Sequence, residues 1–165
     1  MAATGGAGSV RKLRAAIEHS VSAAASGDPA EFELAGQLLA AADQQRLRLV
    51  QGQIVRDLLE ELHPGGLSGA DAQDVLQRCV QAAIGWYPAV DAQVLVIALL
   101  GALNAAEPDD QPVTDERTVA LHGSLLIADL IGATGDGSAQ PAAELDRLLD
   151  SAFAEIQRAE TIELP

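Results

Sequence analysis

His122 and Asp129 are the two side chains in this sequence whose types and spacing best suit acid–base chemistry. They lie seven residues apart in a predicted helix, so they share one face but are separated by about 10.5 Å along its axis. That separation is too large for a direct hydrogen bond between them. One interpretation is a polar pocket between the fourth and fifth predicted helices, with Asp129 as a buried acid. The alternative is a satisfied or exposed histidine, and an acid that reaches an arginine such as Arg78 or Arg117, or simply the solvent.

Acidic residues cluster before and at the start of the fifth predicted helix. A hard cation needs several converging oxygen ligands, but the residue order of an EF-hand loop is missing here. A solvated loop, followed by acids that the helix dipole favours, explains the same pattern. We therefore predict no metal site and no cofactor. The cluster consists of Glu107, Asp109, Asp110, Asp115 and Glu116.

Trp86 and Tyr87 are adjacent, and the chain has no other tryptophan or tyrosine. Large aromatic residues are favoured anchors of protein interfaces, so this turn is a candidate binding site for a partner. The competing interpretation is a plug at the end of the core, in which Gly85 ends the helix and Trp86 folds back onto its last turn. Cys79 lies on the apolar stripe of that helix, which indicates a packing residue and not an activated thiol.

Six helices are predicted to position these residues, and the predicted fold class is all-α. Their apolar residues recur every three or four positions, which is the spacing of one helix face. We expect residues 1–8 to form a flexible tail and residues 9–162 to form a single domain. The predicted helices cover about residues 9–26, 28–63, 68–84, 90–106, 115–133 and 141 onwards.

The fourth and fifth predicted helices are apolar on nearly every side, which is typical of helices surrounded by others. We therefore expect a six-helix bundle with these two helices buried at its centre. The longest uncharged stretch covers residues 92–106, which is shorter than the roughly 20 residues that cross a bilayer. A membrane partner is therefore not expected.

Residues 28–63 are predicted to form one long helix of about 50 Å, starting at an N-cap on Asp28. Its apolar stripe is interrupted by a five-residue step from Ala42 to Leu47. The alternative is two helices broken near residues 51–53, where a glycine occurs. A helix of 50 Å would outrun a domain with a diameter of about 40 Å, so part of it would protrude or pair with another chain.

The chain has 165 residues and a net charge of −14, which argues against a nucleic-acid partner because phosphates would be repelled. Residues 1–26 carry about +2 and the remainder −16, so the first helix is suited to lie against an acidic surface. A single cysteine and no visible export or lipidation signal predict a cytoplasmic protein. The preference for arginine over lysine suggests a bacterial source.

These features predict a non-enzymatic module that binds protein and self-associates into a homo-oligomer through its first two helices. One alternative is a small-molecule-binding or enzymatic domain with its pocket at His122 and Asp129. A further alternative is an acidic inhibitor or immunity-type protein that docks on a basic partner. The predicted oligomer interface consists of Leu13, Ile17, Leu47, Val50, Ile54 and Leu58.

Overall fold

The computed structural model describes residues 2–103, 115–134 and 140–163. Within these ranges the chain forms seven α-helices and no strand, which confirms the all-α class. The count of six is wrong, because the second predicted helix is two helices. The first helix begins at Ala2, before the predicted start at residue 9. The helices are α1 (Ala2–Ser26), α2 (Pro29–Ala40), α3 (Gln44–Leu62), α4 (Gly69–Ala83), α5 (Ala92–Ala102), α6 (Glu116–Thr134) and α7 (Pro141–Glu163).

The long helix predicted over residues 28–63 is interrupted between Ala40 and Gln44. The Gln44 side-chain amide donates hydrogen bonds to the carbonyl oxygens of Leu39 and Ala42, each at 2.9 Å, and so closes the end of α2. The break falls within the five-residue step of the apolar stripe. Five residues rotate a helix by one turn plus about 140°, so one straight helix could not keep both halves of the stripe on one face.

Asp43 starts α3 after this turn. Its backbone is extended, and its Oδ1 accepts the N–H of Arg46 at 3.2 Å, which is the bonding of an N-cap. The break therefore precedes Gly52, near which the alternative placed it. Asp28 caps α2 in the same way, as predicted, by accepting the N–H of Glu31 at 3.2 Å.

A glycine turn sends α2 back along α1. Gly27 has a φ of +65°, a left-handed conformation that costs glycine little because it lacks a Cβ. The N–H of Asp28 donates to the carbonyl oxygen of Ala23 at 3.1 Å, and that of Gly27 to Ala24 at 3.2 Å. This is the Schellman pattern of helix ends, and it leads directly from α1 into the cap of α2.

The basic residues of α1 are partly used inside the chain. Arg14 forms ion pairs with Glu18 on its own helix and with Asp146 and Asp150 on α7. Arg11 and Lys12 are exposed. The predicted attraction between the first helix and an acidic surface is therefore met in part by α7 of the same chain.

α6 is the central helix, because it contacts each of the other six helices of the described chain. Its side chains are buried without interruption over residues 120–127. α5 does not fit the prediction of a second buried helix: Val94, Leu95 and Leu99 face the core, whereas Leu100 and Leu103 are exposed. Neither of these helices, nor any other in the described ranges, is long and apolar enough to cross a membrane.

The six residues predicted for the oligomer interface lie inside the core of a single chain. All are almost completely inaccessible to solvent, so they cannot contact a second copy of the folded protein. The error has a physical reason, because the apolar spacing that packs helices within a chain is the same as the spacing that packs them between chains. These residues are Leu13, Ile17, Leu47, Val50, Ile54 and Leu58.

If Asp43 separates α2 from α3, Asp43→Ala should lower the free energy of unfolding by about 1 kcal/mol, because the N–H of Arg46 loses its acceptor. Urea denaturation followed by circular dichroism measures this change. Asp74→Ala is the matched control, since Asp74 is an exposed acid of α4 with no ion-pair partner among the described residues. Equal stability of the two variants would contradict the assigned cap.

Candidate functional site

Trp86 and Tyr87 lie in the turn after α4 and pack against Phe32 of α2. The ring centroid of Phe32 is 5.0 Å from that of each, in edge-to-face geometry. The Trp86 Nε1 donates a hydrogen bond to the carbonyl oxygen of Ala82 at 3.2 Å, and the Tyr87 ring lies 5.9 Å from that of His122. Both residues are half-buried, so their contacts favour the plug at the end of the core over a free interface anchor.

The turn that holds this aromatic cluster differs from the prediction at Gly85. The N–H groups of Trp86 and of the next residue both donate to the carbonyl oxygen of Ala83, at 3.1 and 2.7 Å. Gly85 is not left-handed. The glycine that matters is Gly27 at the end of α1, where an added Cβ would lie 3.3 Å from the Trp86 Cδ1. The plug therefore packs on the α1–α2 turn.

His122 is completely buried on α6, and both of its ring nitrogens are engaged by backbone groups. Nε2 accepts the N–H of Asp91 at 3.0 Å. Nδ1 lies 2.8 Å from the carbonyl oxygen of Thr118, which can only accept, so Nδ1 carries the proton and the ring is neutral. Burial lowers the pKa of His122, although the Thr118 hydrogen bond acts in the opposite direction. This histidine fastens the start of α5 to α6 and has no free nitrogen for catalysis.

Asp129 is paired with Arg78, as the alternative interpretation predicts. The Arg78 Nε lies 3.0 Å from Oδ2 and 3.3 Å from Oδ1, and its terminal nitrogen lies 2.9 Å from Oδ2. The Asp129 side chain is only 9% exposed. A guanidinium that binds both carboxylate oxygens fixes the acid in place and neutralises it. Asp129 and His122 therefore have separate partners and do not form one polar pocket.

A groove of about 470 Å³ runs between the end of α1, α4 and α6, and we name it the small groove. It is lined mainly by alanine and glycine. Two of the four predicted binding residues, Trp86 and Asp129, meet here, together with Cys79, whereas His122 does not line it. The small groove is formed by residues 24–27, 78, 79, 82, 83, 86, 125, 128, 129, 132 and 133.

Cys79 is a packing residue at the floor of the small groove. It is buried, and desolvation together with the nearby charge of Asp129 raises the pKa of its thiol to about 12. A thiol with this pKa is almost entirely protonated at neutral pH. The site therefore lacks an activated nucleophile at this position, in agreement with the predicted packing role.

Three polar side chains inside the bundle were not singled out by the sequence. The Oγ atoms of Ser20 on α1 and Ser124 on α6 lie 2.7 Å apart. Gln51 on α3 donates from Nε2 to the carbonyl oxygen of Ala120 at 3.0 Å and to the Ser124 Oγ at 3.2 Å. The available signal was a glutamine one turn after Leu47 on an apolar stripe, which indicates a buried polar contact.

A second groove, of about 770 Å³, lies between α3, α5 and α6, and Gln51 is part of its wall. We name it the large groove. Its walls combine apolar side chains with small residues, and its charged residues are Arg48, Arg56 and Glu116. The large groove is formed by residues 44, 45, 47–49, 51, 52, 55, 56, 97, 98, 101, 102, 116, 119, 120 and 123.

The predicted acidic cluster lies partly outside the described residues, since Glu107, Asp109 and Asp110 fall in the range 104–114. Of the other two members, Asp115 accepts a hydrogen bond from the Thr118 hydroxyl, and Glu116 pairs with an arginine of α3. Within the described ranges, no three histidine, cysteine or acidic residues are grouped so that they could hold a metal ion.

No protein-family model matches the sequence, and neither curated proteins nor solved structures give a match.

His122 makes the stability of the fold depend on pH. Its pKa in the folded chain lies below the ordinary value of about 6.5, so the unfolded chain takes up a proton first as the pH falls. The free energy of unfolding should therefore decrease below about pH 6.5, by at most about 1.4 kcal/mol per pH unit from this group. Urea denaturation at a series of pH values measures the slope.

The variant His122→Gln removes this titration while it keeps an amide that can bind Asp91. We expect a shallower pH dependence than in the unchanged protein. The same pH dependence in His122→Gln as in the unchanged protein would contradict the assignment.

Cys79 should react with Ellman's reagent only when the chain unfolds, because the thiol is buried and protonated. Absorbance measured with and without denaturant tests this prediction. Labelling of the native protein at the rate of a small free thiol would show that the small groove opens to solvent.

Proposed function

We propose that this chain is a non-enzymatic helical module that binds protein, and that its partner is a second copy of itself. The outward side of α2 is the feature that supports this proposal. Five residues on this side of the helix are exposed, and together they span about 100° of the helix circumference. This α2 outer face consists of Ala30, Leu34, Gln37, Leu38 and Ala41.

The α2 outer face is apolar where a surface helix is normally polar. Leu34 is 49% exposed and Leu38, one turn later, is 45% exposed. A surface helix usually turns charged and polar residues toward solvent, and two large apolar residues in register are the pattern with which helices bind other helices. Antiparallel pairing of two α2 helices would place Leu34 of each copy near Leu38 of the other.

Charge also favours this face as the meeting point of two copies. Glu31 and Glu33 flank it on its two sides. Glu31 is hydrogen-bonded to His19 at 2.7 Å, and Glu33 forms an ion pair with Arg117. The α2 outer face itself carries no charge. In a chain of net charge −14, two copies repel each other least where an uncharged surface meets an uncharged surface.

The residues capable of catalysis support a non-enzymatic role. His122, Cys79 and Asp129 are each engaged in packing, hydrogen bonding or an ion pair within the described chain. A nucleophile or general base needs a lone pair directed at a substrate, and none of these three groups offers one.

The size of the α2 outer face indicates how tightly two copies should associate. Stable interfaces bury about 1,200–2,000 Å² in total, and two leucines with their neighbours supply only the centre of such an area. Association should therefore be weak and reversible, and it should increase with salt, because salt screens the repulsion between two acidic chains.

Sedimentation velocity over a range of concentrations, at low and high salt, tests the proposal. We expect a monomer of 17.0 kDa at low concentration and a dimer at high concentration, with more dimer at high salt. Leu38→Glu should abolish the dimer, because it places a charge on the α2 outer face of each copy.

Leu100→Glu is the matched control, since Leu100 is an exposed leucine of α5, 36% accessible, outside the α2 outer face. This variant should dimerise like the unchanged protein. A monomer at the highest soluble concentration and at both salt levels would contradict self-association. Binding to a basic protein that weakens with salt would instead favour the acidic-inhibitor alternative.

A further inference from the structure

The wall of the large groove contains a buried amide that is only half used by the protein. Gln51 is 7% exposed, and its Nε2 donates to the carbonyl oxygen of Ala120 at 3.0 Å and to the Oγ of Ser124 at 3.2 Å. The carbonyl oxygen of Ala120 can only accept, so the orientation of the amide is fixed and Oε1 points away from it. No described residue donates a hydrogen bond to Oε1.

The Gln51 Oε1 is not completely buried, and Gln51 lines the large groove. Among the described residues, every completely buried side-chain nitrogen or oxygen has a hydrogen-bond partner, so the unpartnered Oε1 is not completely buried. It lies over Gly123, which also lines the groove, and a Cβ at Gly123 would come within 2.7 Å of it. Glycine at this position therefore leaves room for the acceptor.

The large groove is lined by apolar and by charged residues. Val55 of α3, Ile97 of α5 and Val119 of α6 line its three sides. Of its charged residues, Arg48 pairs with Glu116 at 3.0 Å, and the other arginine donates to the carbonyl oxygen of Ala102 at 2.9 Å. A charged ligand group would have to break these contacts to find an opposite charge in the large groove, which favours a neutral ligand.

We infer that the large groove binds a neutral, mostly apolar small molecule that donates one O–H or N–H hydrogen bond to the Gln51 Oε1. The volume of about 770 Å³ lies in the usual range of ligand sites. A hydrogen-bond acceptor in an apolar setting gives such a site its selectivity, since a ligand without a donor would leave the oxygen unpaired. This inference is independent of the α2 outer face.

Benzyl alcohol and anisole are suitable probes because they are isomers, and only benzyl alcohol has an O–H donor. Titration followed by two-dimensional NMR should shift the signals of Ala98, Val119 and Gly123 for both compounds. We expect benzyl alcohol to bind about fivefold more tightly, the effect of one neutral hydrogen bond.

Two matched glycine variants locate the binding. Gly101 lines the large groove and Gly132 lines the small groove, and a Cβ added at either meets no atom within 4 Å. Gly101→Leu should therefore fold, narrow the large groove and weaken binding of benzyl alcohol. Gly132→Leu should leave the affinity unchanged.

Gln51→Met removes the amide acceptor and should make the affinities of the two probes equal. If this variant does not fold, the comparison of Gly101→Leu with Gly132→Leu still shows which groove binds the probe. Equal affinity of benzyl alcohol and anisole for the unchanged protein would overturn the inference. So would an affinity for benzyl alcohol that Gly101→Leu leaves unchanged, or no shift up to the solubility limit of benzyl alcohol.

Discussion

Every helix of the described chain packs against α6, so the surface of α6 fixes the positions of all the others. Aromatic residues make up 2% of the sequence, and these contacts therefore depend on small and aliphatic side chains that let helices approach closely. Gly36 of α2 is an example of such a close approach, because a Cβ at this position would lie only 2.9 Å from the Arg117 Nε of α6. Polar side chains that are buried between closely packed helices need hydrogen-bond partners on the facing helix, as Ser20, Ser124 and Gln51 have.

Local features of this fold were readable from the sequence, because a cap needs only a few adjacent residues. Asp28 at the start of α2 is an example. The break at Asp43 was missed since it involves neither glycine nor proline. Its signs were the change in phase after Ala42 and an aspartate, a favoured N-cap residue, directly after it. Central packing of α6 followed from its apolar surface, but the same criterion failed for α5, because composition cannot tell which side of an apolar helix remains exposed.

Contacts between distant segments could not be read in this way. The spacing of His122 and Asp129 excluded a direct bond, but it could not reveal that Asp91 and Arg78 are their partners. The positive charge predicted for the first helix includes Arg14, but this arginine forms ion pairs with two aspartates of α7 in the same chain. Long-range pairing depends on how the helices cross, and helical periodicity leaves crossing undetermined.

Trp86 gives the molecule a built-in fluorescent reporter, because it is the only tryptophan in the chain. Its indole is held between the α1–α2 turn, Phe32 and the end of α4, with its N–H bonded to the backbone. Its emission therefore senses whether α2 and α4 remain together at one end of the bundle. It does not sense the contact of α3 with α7, whereas circular dichroism follows all helices at once. Any difference between the two signals on denaturation would measure how independently that end opens.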